Sequence, residues 1–317
     1  MVRFRNLLSL VRRRRPVLKF VYSDRYWMVD IGRHVFPARK YRLIYEHLLR
    51  KGVKKDRLLT PKFASDEDIE LVHTAKYLRK LTTGKLSHSE LQALELPFSR
   101  EIFDFFLLTV GGTILAAEQA LTDGLTVHIG GGFHHAFPDH GEGFCLLNDV
   151  AVALEKMKKE GHIERAMVID CDVHQGNGTA VIFEDKDYAF TFSIHQMDLY
   201  PARKTESSLD VELWSGAGDQ KYLEALQAHI PVIYREFRPH LVFYLAGADA
   251  YQRDQLGGLD LTMEGLIERD RIVIGEARAL DIPLVVLFAG GYAFDVDDTV
   301  AIHLNTIKTA QKMLRAL

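Results

Sequence analysis

Five short apolar, β-branched runs recur along the chain, at 125–129, 166–171, 188–194, 241–246 and 283–289, each bounded by turn-forming residues. Stretches with helical spacing alternate with them, at roughly 101–122, 146–160, 219–237, 262–280 and 297–316. A strand that is apolar throughout must be covered on both faces, and strand–helix alternation supplies that cover as helices on either side of a parallel sheet. The expected fold class is therefore α/β: a single-domain, doubly wound, mainly parallel sheet flanked by helices. No internal repeat or linker divides the chain, so the expected organisation is a basic arm at 1–17 followed by one domain at 18–317.

In open parallel sheets, ligands bind beyond the carboxyl ends of the strands. The first run is followed by Gly130-Gly131-Gly132-Phe133-His134-His135. The second leads through Asp170-Cys171-Asp172-Val173-His174-Gln175-Gly176-Asn177-Gly178, and the third ends in Ser193-Ile194-His195. The fourth leads into Gly247-Ala248-Asp249 and the fifth into Gly290-Gly291-Tyr292. Residue types suited to metal and acid–base chemistry thus collect at one edge.

Asp172 and His174 alternate on an extended segment, so both side chains can face the same way. Asp249 ends another buried run, where a carboxylate without a partner is costly; a turn or helix-cap role is the plainer alternative. Two carboxylates and one imidazole are three protein ligands, which leaves a tetrahedral metal one open position. The His134-His135 pair sits in a glycine-rich turn and offers two groups that titrate near neutrality, with Asp170 an orienting partner for one of them. Tyr292 is either a packed aromatic or, swung in by Gly290 and Gly291, a hydroxyl donor to a developing oxyanion. Asp295, Asp297 and Asp298 fit a helix start better than a ligand set. His195 has no evident partner, and His34, His73 and His303 are expected at the surface or at caps. Cys145 and Cys171 are expected to be small buried residues.

The order of these motifs, together with Gly141-Glu142-Gly143-Phe144-Cys145-Leu146-Leu147-Asn148-Asp149, closely resembles the histone deacetylase superfamily over about residues 20–310, most of all its bacterial and class IV branch. The resemblance implies an arginase/deacetylase-like fold and a zinc-dependent amidohydrolase acting on acylated lysine. It assigns Asp172, His174 and Asp249 to the metal, a set that does not choose between Zn²⁺ and Fe²⁺. His134 and His135 become the tandem imidazoles, Asp170 the partner of His134, and Tyr292 the oxyanion donor. The Gly143 carbonyl would accept the substrate amide N–H; Phe144, Tyr200 and Leu256 would line the acyl-lysine tunnel, with Gly290 and Gly291 among the substrate-contacting positions. Asp170, Ser193 Oγ and the backbone oxygens of Asp172, His174 and Ile194 resemble the family's structural potassium site. Asn177 stands where many deacetylases carry an Asp beside the second histidine, so His135 should be less basic here.

Acetylpolyamines or other small acyl-amines are the alternative substrates, and a non-catalytic acyl-lysine binding module is the alternative of another class. A binuclear arginase-type centre is disfavoured, because Gly176 and Ala250-Tyr251 occupy the positions where its additional aspartates would stand. Composition excludes less: 47% hydrophobic and 26% charged residues fit an ordinary globular chain, and no apolar run is expected to span a membrane. Two cysteines fit a reducing, cytoplasmic compartment, and the segment 7–11 is too short and too interrupted for a secretory signal. Residues 1–20 carry seven basic side chains and no acid, so a formal net charge of −3 leaves −10 on everything after them. That rules out a wholly cationic nucleic-acid binder and marks the arm as a contact for an acidic partner, an anionic membrane or the domain's own acidic surface; an Arg-rich leader also leaves organelle targeting open. Oligomeric state has no sequence signature here.

Overall fold

A computed structural model describes residues 17–315. The basic arm, apart from Val17, lies outside the described residues. Among them, eight strands form one sheet: β1 (Lys19–Val21), β2 (Leu58–Leu59), β3 (Leu125–His128), β4 (Ala166–Asp170), β5 (Ala189–Gln196), β6 (Leu209–Leu213), β7 (Leu241–Leu245) and β8 (Leu284–Leu287). Their spatial order is β2-β1-β3-β8-β7-β4-β5-β6, and every neighbouring pair is parallel. The helices are α1 (Arg25–Met28), α2 (Arg39–Arg50), α3 (Asp66–Ile69), α4 (Ala75–Thr83), α5 (His88–Leu94), α6 (Arg100–Asp123), α7 (Asp149–Lys159), α8 (Asn177–Phe183), α9 (Asp219–Phe237), α10 (Met263–Ala279) and α11 (Val296–Arg315).

The doubly wound parallel sheet follows from the sequence pattern. Every residue of β3, β4, β7 and β8 is buried, as strands covered on both faces must be. Each Val, Leu or Ile so buried contributes roughly 1.5–3 kcal/mol. The topology decides where the site goes: the chain passes from β3 to β4 across a gap that β7 and β8 later return to fill. The loops leaving β3, β8, β7 and β4 therefore meet at one edge.

Two expectations need amendment. β1, β2 and β6 carry no strand signal in the sequence, because β1 and β2 are three and two residues long and β6 is an only partly buried edge. Helix α6 is, by length and composition, long and apolar enough to cross a membrane; most of its apolar stretch is buried within the fold, against α7 and β3, so it serves as a core helix.

Candidate active site

Asp172 and His174 follow β4 directly, and Asp249 follows β7, which pairs with β4. All three are buried, and one ligand atom from each lies within 4.8 Å of the others. His174 Nδ1 stands 3.0 Å from Asp172 Oδ1 and 3.5 Å from Asp249 Oδ2. Backbone N–H groups hold the outer carboxylate oxygens: Gly290 donates to Asp172 Oδ2 (2.8 Å) and Val173 to Asp249 Oδ1 (2.9 Å). Asp249 Oδ2 is left buried without a hydrogen-bond partner, a costly state that a cation would relieve. The electrostatics agree: burial and the Asp172 carboxylate push Asp249 up to about 7, while burial of His174 is outweighed by Asp172 and Asp249, which raise it to about 10. Two carboxylates and one imidazole, drawn together around an orphaned oxygen, suit a divalent metal.

The histidine pair follows β3 on the other side. His134 Nδ1 donates to Asp170 Oδ2 at 2.6 Å, the partnership expected. Burial alone would depress His134, yet Asp170 and Asp172 lift it to about 9, so Nε2 also carries a proton and donates to His135 Nε2 at 3.0 Å. His135 differs. Its Nδ1 lies 2.7 Å from Asn177 Oδ1, an oxygen that can only accept, which places the proton on Nδ1 and the lone pair on Nε2. The amide orientation is fixed by the Gly178 N–H, which donates to the same oxygen, and by Asn177 Nδ2, 3.5 Å from Glu142 Oε2. Burial and the neighbouring His134 and His174 charges drive His135 far below its usual range. One imidazole is thus held charged and the other neutral.

Tyr292 reaches the same cavity from the segment after β8. Two glycines would leave that segment loose, but its backbone is tied at each step. Lys40, a fully buried lysine, donates to Ala289 O (2.8 Å); Asp172 takes the Gly290 N–H; Asp254 Oδ2 accepts from Tyr292 N (2.6 Å); Gln255 Nε2 donates to Tyr292 O (2.8 Å). Gly290 must be glycine, because a Cβ there would collide with the Asp249 and Asp172 carboxylates. The turn before His134 is held in a similar way: Asp149 accepts from Gly132 N and Phe133 N, and Thr113 Oγ1 donates to its other face at 2.5 Å. Thr113 also meets His128 Nδ1, whose Nε2 meets Tyr26 OH.

The enclosed cavity between these groups is about 20 Å³, room for one water-sized occupant. Gly143 and Phe144 line it, both with positive φ (49° and 67°), and their N–H groups donate to Ala93 O and Leu94 O at the end of α5. A Cβ on Gly143 would meet His135 and Tyr200 at 2.9 Å. Tyr200 packs its ring 5.0 Å from His135 but does not bound the inner cavity; it borders a larger surface cleft of about 740 Å³ with Glu142 and Asn177. Leu256, expected in the tunnel wall, also lies outside the inner cavity; it is half-buried, with its N–H on Asp254 Oδ1 (2.8 Å). Asp170 and Ser193 face each other in register across β4 and β5, with Ile194 next in line.

Several histidines depart from expectation. His195 does have a partner, Ser193 Oγ at 2.9 Å from its Nδ1. His73 is buried rather than superficial, bonding Phe137 O and accepting from Asn148 N, and His303 is buried and stacked on Phe288 at 4.3 Å. His34 is half-buried, with Nε2 2.9 Å from Glu95 O, Nδ1 accepting from Phe36 N, and its ring edge-on to Phe144 at 4.7 Å. Both cysteines are buried. Asp297 and Asp298 sit in the first turn of α11, where acidic residues belong. Sequence reasoning missed Lys40, Glu142, Asp149 and Asp254. A signal for Asp149 and Asp254 was their place beside glycine-rich, motif-bearing segments; Lys40 has none.

Residues 34–307 match the family model of the histone deacetylase domain. The chain is 40% identical over 284 residues to an uncharacterized protein of Picosynechococcus sp., covering 89% of this chain and 95% of that one. It is 32% identical over 288 residues to histone deacetylase 2 of Arabidopsis thaliana, covering 87% and 74%. The crystal structure of the HDA15 HD domain superposes with a TM-score of 0.78, covering 93% of this chain and 90% of that one at 23% identity, a likeness of fold. With the domain matched over most of its length and the expected residues gathered at one sheet edge, the chain is a deacetylase-type hydrolase and belongs to the histone deacetylase family.

Proposed function

We propose that the chain hydrolyses the amide bond of acylated lysine with a Zn²⁺ ion held by Asp172, His174 and Asp249. The observation that carries this reading is Asp249 Oδ2, buried with no hydrogen bond and only the His174 ring 3.5 Å away, beside two further ligand atoms within 4.8 Å. Bound there, Zn²⁺ would supply a Lewis acid that polarises the acyl carbonyl and acidifies a water; Fe²⁺ suits the same donors. His135 Nε2 carries the lone pair of a neutral imidazole, because its proton is held on Nδ1 by Asn177; on giving up the His134 N–H, it accepts the proton of the attacking water and returns it to the leaving amine. The Tyr292 hydroxyl donates to the oxyanion, from a backbone that Asp254 and Lys40 hold still. His134, kept charged by Asp170, adds positive potential beside that oxygen. Gly143 O accepts the substrate N–H, while Phe144 and, further out, Tyr200 and Leu256 flank the lysine stem. A structural K⁺ is assigned to Asp170, Ser193 Oγ and the carbonyls of Asp172, His174 and Ile194; the in-register pairing of Asp170 with Ser193 supports it.

The test is release of free carboxylate from acyl-lysine peptides. Hydrolysis should stop with a chelator and return with Zn²⁺; chelator-insensitive hydrolysis would reject the metal assignment, and binding without any release would favour a non-catalytic module. Acetyl, octanoyl and myristoyl peptides run beside acetylpolyamines identify the acyl group and the amine.

A further inference from the structure

A parallel sheet has two unlike poles. The catalytic groups occupy the carboxyl ends of the strands, while β1 starts at the opposite end, where Leu18 O accepts from Arg57 Nε at 3.1 Å. The carboxyl ends of α2 and α11, helices that pack on each other, close a cavity of about 280 Å³ there. Its walls combine His47, Lys51, Arg57 and Lys308 with apolar Leu304 and Ile307. Arg50, Lys51, Lys54, Lys55, Lys308 and Lys312 are exposed around it. Lys312 lies one helical turn beyond Lys308 and so on the same face.

The lysine charge at this pole is left unpaired by carboxylates among the described residues: none of Lys51, Lys54, Lys55, Lys308 and Lys312 forms an ion pair with one. Between residues 47 and 62 Asp56 is the sole acid, Glu46 is taken up by Arg42 and Arg50, and the sequence after Asp298 contains none. Partial burial and the surrounding Lys51, Arg50 and Lys308 charges push His47 below its usual range, as a positive local potential requires. The described chain begins at this same pole with Val17 and Leu18, and the sequence before them carries Arg3, Arg5, Arg12, Arg13, Arg14 and Arg15. Those arginines share the arm with Phe4, Leu7, Leu8, Leu10 and Val11.

We propose that this pole docks the enzyme on an anionic phospholipid surface, with headgroup phosphates at the His47–Lys51–Arg57–Lys308 cavity and the active site facing away. Stable attachment to a bilayer needs two signals, basic charge and apolar side chains; the described pole supplies the charge with Leu49 exposed beside it and Leu304 and Ile307 in the cavity wall, and the sequence of the arm contains both kinds of residue. A long nucleic acid would run beyond the pole onto a remainder that is net acidic, whereas a planar bilayer meets only the pole.

The experiment is co-sedimentation of the full chain with vesicles of phosphatidylcholine alone and with about one-third phosphatidylglycerol. Binding should need the anionic lipid and fall on raising salt from about 0.1 M to about 0.5 M. At about fivefold per charge, Lys51→Gln, Lys308→Gln and Lys312→Gln together should weaken it roughly a hundredfold, without altering hydrolysis of a small soluble substrate. Replacing Arg12 to Arg15 by Gln in the full chain provides a second, independent loss. No binding, equal binding to both vesicle types, or unchanged binding of the triple variant overturns the proposal. So does displacement from vesicles by duplex DNA that binds the protein more tightly.

Discussion

The two halves of the site are built differently. On the β4–β7 side, Asp172, His174 and Asp249 come off strand ends within a few residues of the sheet, and their positions follow from the strands themselves. On the β3–β8 side, His134, His135 and Tyr292 ride on segments rich in glycine, and other residues have to hold them: Asp149 for the first, Asp254 and Lys40 for the second. A metal site needs fixed ligands, while the proton-transfer and oxyanion groups need the right approach to a substrate. Rigid strand ends serve the former, and clamped flexible turns serve the latter.

That division can be broken by experiment. The largest effect belongs to the ligand half: Asp249→Ala should leave less than about 1% of activity with metal content falling in parallel, and retained metal would show that Asp249 is no ligand. Next, Tyr292→Phe should lower kcat by about 10²–10³-fold with KM and metal content little changed; normal turnover would remove Tyr292 from the mechanism. Asp254→Asn and Asp149→Asn should each lower kcat by roughly 10–100-fold while metal content stays intact. If metal were lost with either, the two halves would not be separable. The smallest effect is on stability. Burial depresses His73 to about 4 and His128 to about 3, so both stay neutral in the folded state while the unfolded chain takes up protons. Stability is then undiminished above pH ~6.5 and falls as pH drops from there towards about 4 for His73 and about 3 for His128, by on the order of 2 kcal/mol per histidine at pH 5. Denaturant titrations at pH 7 and 5 measure this, and His73→Phe should reduce the difference.

The same contrast explains what the sequence revealed. β3, β4, β5, β7 and β8 were legible because each is a continuous apolar run, and the residues beyond those runs were legible because the fold class says which strand end carries chemistry. The clamps were not. Asp149 reaches Phe133 across 16 residues, Asp254 reaches Tyr292 across 38, and Lys40 reaches Ala289 across 249; each binds a backbone atom, which leaves no residue-type signature. The region before α6 was illegible for another reason, since its elements are short. Two of them could have been found, because Ser65 with Asp68 and Ser87 with Glu90 form capping boxes at the starts of α3 and α5. Tyr200 and Leu256 lie on loops, where register cannot be counted from a strand.

Ala289, whose carbonyl Lys40 grips, has φ +49°, a backbone setting that glycine adopts more readily, and its side chain helps to wall the cavity. Phe144 does the same at φ +67°. Glycine at Ala289 should relax the backbone by up to about 1 kcal/mol, yet it would thin the wall and loosen the segment before Tyr292. Selection for thermal robustness alone would therefore drive this position towards glycine, and a shaped pocket is retained only under continued demand for turnover.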